Sequence, residues 1–206
     1  MIRKLFSLAV LTLALCVAPL SARAADGPGT KVVRAANDTI AALLKQKAAP
    51  GSDAEKKAAA KVTTSIRDFL DIAQLTERAM VDHWAKLTAA QRADFLDTLR
   101  GLIEDNYVKG LRANLEYQVS YLGEAPGAGG TIAVKTQITA KKKGRPVKIA
   151  VDYVLLAQGG KLRCFDVKTD GVGLVDNYRA QFNKIIAKDG FDGLLAKMKK
   201  KRAAST

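Results

Sequence analysis

The amino-acid sequence predicts an α+β fold, with a helical N-terminal half and C-terminal helices packed on a curved four-stranded antiparallel sheet. Apolar residues recur at helical spacing up to residue 110, and they alternate with polar residues between 117 and 169. Short turns separate the four alternating segments, as they separate antiparallel strands. Because the helices precede and follow the strands instead of lying between them, the pattern favours α+β over α/β.

Residues 1–24 have the features of a secretory signal peptide. Two basic residues precede an apolar run over 5–17, and residues 22–24 read A-R-A, which matches an A-x-A cleavage site. A run of 13 residues is too short to span a bilayer comfortably. The sequence therefore predicts a Sec-type signal, export, and cleavage between Ala24 and Ala25.

A lipoprotein signal ending at Cys16 is the alternative, but Leu15 stands where such a signal needs a small residue. After cleavage before Ala25, Cys164 is the only cysteine, so no intramolecular disulfide can form. Cys164 is therefore expected to be buried and to pack as a small apolar residue.

The chain is strongly basic, with a formal net charge of +14. Its leader carries three basic residues and no acidic ones, so the mature chain would hold 31 basic and 20 acidic residues, a net charge of +11. Nucleic acid is a frequent partner of basic proteins, but export argues against it. Anionic lipid headgroups, membrane surfaces or acidic partner proteins fit better.

Three helices are predicted before the strands. The first covers 31–47, and the second runs from Ser52 to about residue 67 after an A-A-P-G-S break. A long helix starts at Thr88, where Thr88 and Gln91 form a capping box. Its apolar stripe consists of Phe95, Leu99, Leu102, Ile103, Tyr107 and Leu111.

The strands are predicted from period-two alternation around turns. Residues 123–130 are rich in glycine and are expected to form a mobile loop between the first two strands. In the fourth strand, strict alternation places Cys164 and Asp166 on the face opposite Phe165 and Val167.

A turn at Asp170-Gly171 leads from the last strand into an amphipathic helix. Gly190 is expected to end this helix and to precede a short final one. Residues 199–206 are expected to form a frayed basic tail. The residues that share the apolar face of the helix are Leu174, Val175, Tyr178, Phe182, Ile185 and Ile186.

Two ordered motifs carry a family resemblance. Residues 165–182 read F-D-V-K-T-D-G-V-G-L-V-D-N-Y-R-A-Q-F, and Trp84 is followed at 88–95 by T-A-A-Q-R-A-D-F. Together they resemble the signature of the MlaC family, also called the toluene-tolerance auxiliary family. Gly173 stands where the family usually has serine, and Leu162 where a tryptophan is common. The resemblance covers nearly all of residues 30–198.

The resemblance implies a periplasmic phospholipid carrier without enzymatic activity. It implies a signal peptide at 1–24, a lipid-binding domain at 25–200 and a basic tail at 201–206. The sheet and helices would enclose an apolar pocket that holds phospholipid as cargo, with no cofactor. The residues expected to contact the acyl chains are Trp84, Phe95, Leu99, Tyr107, Val134, Ile149, Val151, Tyr153, Phe165, Val167, Val172, Leu174 and Tyr178.

The partners implied by the resemblance are membrane complexes. They are an inner-membrane lipid ABC transporter complex with its substrate-binding domain, and an outer-membrane lipoprotein complex. Shuttling lipid between them would maintain the lipid asymmetry of the outer membrane. Nucleic acid is not expected as a partner.

Three alternatives remain at this point. The cargo could be another apolar lipid, such as a hopanoid, or the chain could be a basic surface-binding module with a solid core. It could also be a small secreted enzyme that uses Asp166, Asp170 or His83, although a structural ion pair of Asp166 with Arg163 or Arg179 is the simpler interpretation. A single histidine excludes a histidine-based metal cluster, and the sequence lacks a G-x-S-x-G elbow.

Overall fold

The computed structural model describes residues 26–46, 48–110, 117–142 and 145–204. The predicted signal segment lies outside the described residues, and so does Leu111. The elements are α1 Pro28–Leu44, α2 Asp53–Phe69, α3 Ile72–Ala79, α4 Ala89–Gly110, β1 Tyr117–Pro126, β2 Ile132–Lys142, β3 Arg145–Gln158, β4 Lys161–Thr169, β5 Val172–Gly173 and α5 Leu174–Ala203. This order confirms the predicted α+β class.

The sheet is an antiparallel meander in the order β1-β2-β3-β4-β5. The predicted count of four strands is one too low, because the chain forms a last short hairpin after β4. Asp170 (φ 48°) and Gly171 (φ 87°) both adopt left-handed backbone angles there, as a tight two-residue hairpin turn requires. Val172 and Gly173 then pair with Thr169 and Lys168.

The first helix begins three residues earlier than predicted. Pro28 lies in its first turn, where the fixed φ of proline favours helix initiation, and Gly27 at the N-cap provides no side-chain cap. Glu124 of β1 takes that role: its carboxylate accepts hydrogen bonds from the Thr30 backbone N–H (2.5 Å) and hydroxyl (2.8 Å). The cap therefore ties α1 to the sheet.

The predicted loop at 123–130 is wrong over residues 123–126, because these residues belong to β1. β1 continues through Pro126, with a register shift between Tyr121 and Gly123, and its residues pair with β2 as far as Ile132. Only a short turn around Ala128–Gly130 separates the two strands.

The start of α4 confirms the predicted capping box. The Thr88 N–H donates to Gln91 Oε1 at 3.0 Å, and the Gln91 N–H donates to the Thr88 hydroxyl at 3.2 Å. Two orphan N–H groups of the helix terminus are thereby satisfied.

Helix α5 runs over Leu174–Ala203 with one break at Gly190, where φ is 70°. A frayed tail from residue 199 was the wrong expectation, because the helix continues past it. Lys199 pairs with Asp94 at 2.6 Å and Arg202 pairs with Asp97 at 3.2 Å, so the basic residues face acidic residues of α4.

A bulge in β4 overturns the predicted strict alternation. Leu155 of β3 pairs with Cys164 while its neighbour Val154 pairs with Asp166, so Phe165 is the extra residue. Cys164 and Val167 therefore share one face of the sheet. Phe165 is buried, and the guanidinium of Arg78 lies 4.3 Å from its ring centroid.

Candidate functional site

The inner face of the sheet is built from four rows of paired side chains. One row joins Tyr117 to Ala140, and the next joins Val119, Ile138 and Ile149. Deeper rows join Thr136, Val151 and Thr169, and then Val134, Tyr153 and Val167. Because side chains alternate along each strand, these rows form one continuous and mainly apolar surface.

Helices α1 and α2 and the end of α4 face this surface across a gap. The gap is a cavity of about 710 Å³, within the range of about 300–1,000 Å³ that is typical of ligand pockets. Its lining consists of Ala36, Asn37, Ile40, Ser65, Ile66, Phe69, Tyr107, Tyr117, Val119, Ile138, Ala140, Lys141, Ile149, Val151, Tyr153, Val167 and Thr169.

At the end nearest Leu155 and Cys164, the cavity is closed by a filled core. Leu155 and Cys164 are fully buried on the same face of the sheet, and Leu70 at the end of α2 pairs with Cys164 as an isolated bridge. Burial raises the pKa of the Cys164 thiol, so this group is a neutral packing residue, as expected from the sequence.

A small polar network crosses the apolar lining. The Asn37 side-chain amide donates to the Tyr121 hydroxyl at 3.2 Å, and the Tyr153 hydroxyl donates to Asn37 Oδ1 at 3.4 Å. Burial raises the pKa of Tyr153. Arg34 lies 3.9 Å from the centroid of the Tyr121 ring and pairs with Asp26 at 2.7 Å, so the network continues to the surface.

Tyr107 is 39% exposed, yet desolvation raises its pKa to about 12. Tyr107 lines the cavity, where a side chain can be accessible and still be surrounded by protein atoms. Within the described part of the chain its hydroxyl has no hydrogen-bond partner. Among the described residues, the Tyr107 hydroxyl is therefore available to a bound molecule.

The exposed residues of the lining mark its rim. Lys141 lies near the turn between β2 and β3, and Thr169 lies at the end of β4. A lysine beside a mainly apolar cavity places a positive charge where the polar end of an amphipathic molecule could reach it.

Of the thirteen residues expected to contact acyl chains, five line this cavity: Tyr107, Ile149, Val151, Tyr153 and Val167. Val134 lies in the same sheet row as Tyr153 but is fully buried. Phe165 lies in the bulge against Arg78. Contact of any of the thirteen with lipid remains a prediction.

The other expected residues lie around the helices. Phe95 and Leu99 are buried in α4, and the Phe95 ring lies 5.3 Å from Phe182. Tyr178 stacks on Phe182, also at 5.3 Å, and Leu174 packs half-buried against the core. Trp84 is half-buried with Arg92 over its ring, and Val172 is 64% exposed.

The residues expected to contact acyl chains did not include those of α1 and α2 that line the cavity. Ile40 and Ile66 lie within the predicted helices and Phe69 just beyond the second, but helical spacing does not tell which apolar residue faces a cavity and which faces a filled core. Val119 and Ile138 alternate as cavity residues should, and only the strand register places them beside Ile149.

The candidate catalytic residues have structural partners. Asp166 accepts a hydrogen bond from the Val175 N–H, whereas Arg163 donates to backbone carbonyls and Arg179 pairs with Asp176, so the expected ion pair of Asp166 with either arginine is wrong. Asp170 accepts from the Ala150 N–H at 3.0 Å, and a ring nitrogen of His83 lies 2.9 Å from Asn183 Oδ1. Among the residues described, no cluster of three or more His, Cys, Asp and Glu side chains could hold a metal ion.

An apolar cavity enclosed by helices on a curved sheet defines a binding protein for an apolar ligand. The chain belongs to the MlaC family, because the family model for MlaC protein matches residues 34–200. This finding confirms the resemblance carried by the two sequence motifs. None of the helices in the described ranges has the length and apolarity needed to cross a membrane.

A solved structure has the same fold. It is a phospholipid-binding protein from Ralstonia solanacearum in complex with a phospholipid at 1.53 Å resolution. The two chains share 24% sequence identity with a TM-score of 0.67, and the match covers 88% of this chain and 99% of the other. A comparison with curated protein sequences found no match.

Proposed function

We propose that this protein is a periplasmic phospholipid carrier that shuttles lipid between outer-membrane and inner-membrane complexes. The observation that carries the proposal is the cavity of about 710 Å³, whose lining is mainly apolar and whose rim includes Lys141. A carrier needs both features, because it must shield the acyl chains from water and leave the headgroup at the surface.

The free energy of the cargo explains why a cavity is needed. Each methylene removed from water contributes about 0.8 kcal/mol, so two chains of about 15 methylenes require roughly 24 kcal/mol of shelter. A shallow surface groove leaves much of that area in water. The concave wall formed by Val119, Ile138, Ile149 and Val151 meets α1 and α2, so a chain between them is covered on both sides.

The headgroup is placed at the rim by the same reasoning. Its phosphate keeps its hydration there and lies near the Lys141 ammonium. The relative from Ralstonia solanacearum, which holds a phospholipid in the same fold, supports this choice of cargo.

The proposed partners are an inner-membrane lipid ABC transporter complex with its substrate-binding domain and an outer-membrane lipoprotein complex. Movement of lipid between them would maintain the asymmetry of the outer membrane. The transfer requires no covalent chemistry from the carrier, so no catalytic residue is assigned to it.

The cargo can be identified by expressing the full chain in a bacterium and purifying it from the envelope without detergent. Native mass spectrometry should give an adduct of phospholipid mass, and organic extraction followed by lipid analysis should return a glycerophospholipid. A polycyclic lipid in the extract would replace the proposed cargo. A protein that is consistently empty, and that does not take up labelled phospholipid from vesicles, would contradict the carrier function.

A further inference from the structure

A second cleft, of about 400 Å³, lies on the other side of α2 from the apolar cavity. Ser65, Ile66 and Phe69 of α2 face the cavity, whereas Arg67 of the same helix faces the cleft. The lining of this arginine cleft consists of Arg67, Leu70, Asp71, Ile72, Ala73, Asp97, Arg100 and Arg163. Three arginines thus line a space separated from the proposed lipid site by one helix.

Two of the three arginines have no carboxylate partner within the described ranges. Arg163 donates through Nη2 to the backbone carbonyls of Arg67 and Leu70, and its buried Nε has no hydrogen-bond partner there. Arg100 is half-buried and forms neither a hydrogen bond nor an ion pair with any described residue. Half-buried cations without counter-charges are costly, and a bound anion would offset that cost.

The carboxylates near the cleft are already engaged. Asp71 is buried and caps α3 by accepting from the Gln74 N–H at 3.1 Å. Asp97 pairs with Arg202, and Glu104 accepts two hydrogen bonds from Arg67 at 2.6 and 2.9 Å. Asp97 and Glu104 thus pair with other arginines, and within the described ranges no carboxylate forms an ion pair with Arg100 or Arg163.

The N-terminus of α3 also borders the cleft. Its first residues, Ile72 and Ala73, are part of the lining. The first N–H groups of a helix have no partner within the helix, and they carry the positive end of the helix dipole. Backbone donors at a helix start together with arginine forks are the groups that proteins use to bind phosphate.

We propose that the arginine cleft binds a phosphate group, supplied by free phosphate, by a small phosphate ester or by a lipid headgroup. Its donors come from α2, α3, α4 and β4 around a space of small-molecule size, which suits a compact tetrahedral anion better than an extended acidic peptide. The arginine cleft is separate from the apolar cavity, and phosphate binding in it does not depend on the cargo that the cavity carries.

The test compares the full chain with Arg100→Gln and with Lys57→Gln. Arg100 forms no hydrogen bond or ion pair with any described residue, and Lys57 is an exposed lysine of α2 whose loss removes the same charge. The probes are inorganic phosphate and glycerol 3-phosphate, followed through the backbone amide resonances of Ile72 and Ala73. Arg163 is unsuitable for substitution, because its bonds to Arg67 and Leu70 join β4 to α2.

We expect both probes to shift these resonances in the wild type and in Lys57→Gln, and Arg100→Gln to weaken binding about tenfold or more, because a charge-assisted hydrogen bond is lost. Equal affinity in all three proteins, or no shift at millimolar phosphate, overturns the proposal. Binding of a glutamate-rich peptide without binding of phosphate overturns it in favour of an acidic protein partner.

The source of the phosphate is decided by vesicles that contain phosphatidic acid. Binding to these vesicles that depends on Arg100, and that glycerol 3-phosphate competes away, identifies a lipid headgroup. Phosphate binding that vesicles do not compete for identifies a free phosphate or soluble ester. A loss of lipid cargo with phosphate binding retained would count against the carrier function and not against the phosphate site in the arginine cleft.

Discussion

Asp166 in β4 accepts a hydrogen bond from the backbone N–H of Val175 at 3.1 Å, so a buried strand carboxylate caps the helix that follows the sheet. Gly173, the N-cap residue of α5, has no side chain to cap the helix itself. A Cβ at Gly173 would come within 2.6 Å of Asp166 Oδ2. The absence of a side chain at 173 therefore gives Asp166 its position, and the F-D-V and G-V-G-L-V parts of the motif act together.

We expect Asp166→Ala to lower the free energy of unfolding by about 1–3 kcal/mol, because a buried N–H loses its charged acceptor. Urea denaturation of the purified protein measures this loss. The matched control is Asp176→Ala in the same helix turn, since Asp176 is 73% exposed and pairs with Arg179 only at 3.6 Å. The control should cost about 0–1 kcal/mol. Equal losses in the two variants would contradict the capping role.

Phe95→Ala should destabilise the protein without changing its cargo. The Phe95 side chain is fully buried between the rings of Phe182 and Phe191, and such a truncation typically costs about 3–5 kcal/mol. Thermal or urea unfolding gives the stability, and lipid analysis of the folded fraction gives the cargo. A reduced lipid content per folded molecule would show that this residue, which the sequence predicts as a lipid contact, does affect the cargo site.

Ile149→Trp should fill part of the cavity and reduce lipid binding. If the indole displaces about three methylenes of an acyl chain, binding weakens by about 2.4 kcal/mol, or roughly 50-fold. Native mass spectrometry of detergent-free protein reports the filled fraction. Lys148→Trp is the control, because Lys148 precedes Ile149 on the opposite, exposed face of β3. If both variants retain the wild-type lipid content, the cavity is not the binding site.

Tyr107→Phe should reduce the alkaline loss of stability. The pKa of Tyr107 is raised to about 12 in the folded protein, whereas an unfolded tyrosine ionises near pH 10. Between these values the unfolded chain releases a proton that the folded chain keeps, so stability falls as pH rises. Urea unfolding at several pH values should give a shallower fall for the variant than for the wild type. Parallel curves would mean that Tyr107 ionises freely in the folded state.

Local sequence patterns predicted several elements correctly. Where the observed boundaries differ from the predicted ones, the structure shows contacts between residues that are far apart in sequence. Thr88 and Gln91 form the predicted capping box because all of its atoms lie within one helical turn. The first turn of α1 was not predicted although Pro28 is a local signal for it, and its cap, Glu124, is 94 residues away from Thr30 in sequence. The chain stays helical from residue 199 to Ala203, and there Lys199 pairs with Asp94 of another helix. No local pattern contains these partners.

The residues of the candidate site also divide into those that local patterns placed correctly and those that they did not. Alternation along β3 predicted that Ile149, Val151 and Tyr153 share a face, and all three line the cavity. Alternation failed at Phe165, because a bulge inserts one residue and reverses the faces of the strand beyond it. A bulge depends on how two strands pair, and the sequence around Phe165 does not indicate it.

By itself, the sequence determined the α+β class, the family, and which residues are apolar enough to be buried. These properties depend on composition, spacing and ordered motifs. Only the tertiary structure decided where the apolar side chains meet and where they leave a space. Phe95 and Ile149 are equally apolar in sequence, but the first is enclosed by aromatic rings, and the second faces helices that stand away from the sheet. A cavity is a property of the distance between packed surfaces, and that distance is set by all the elements together.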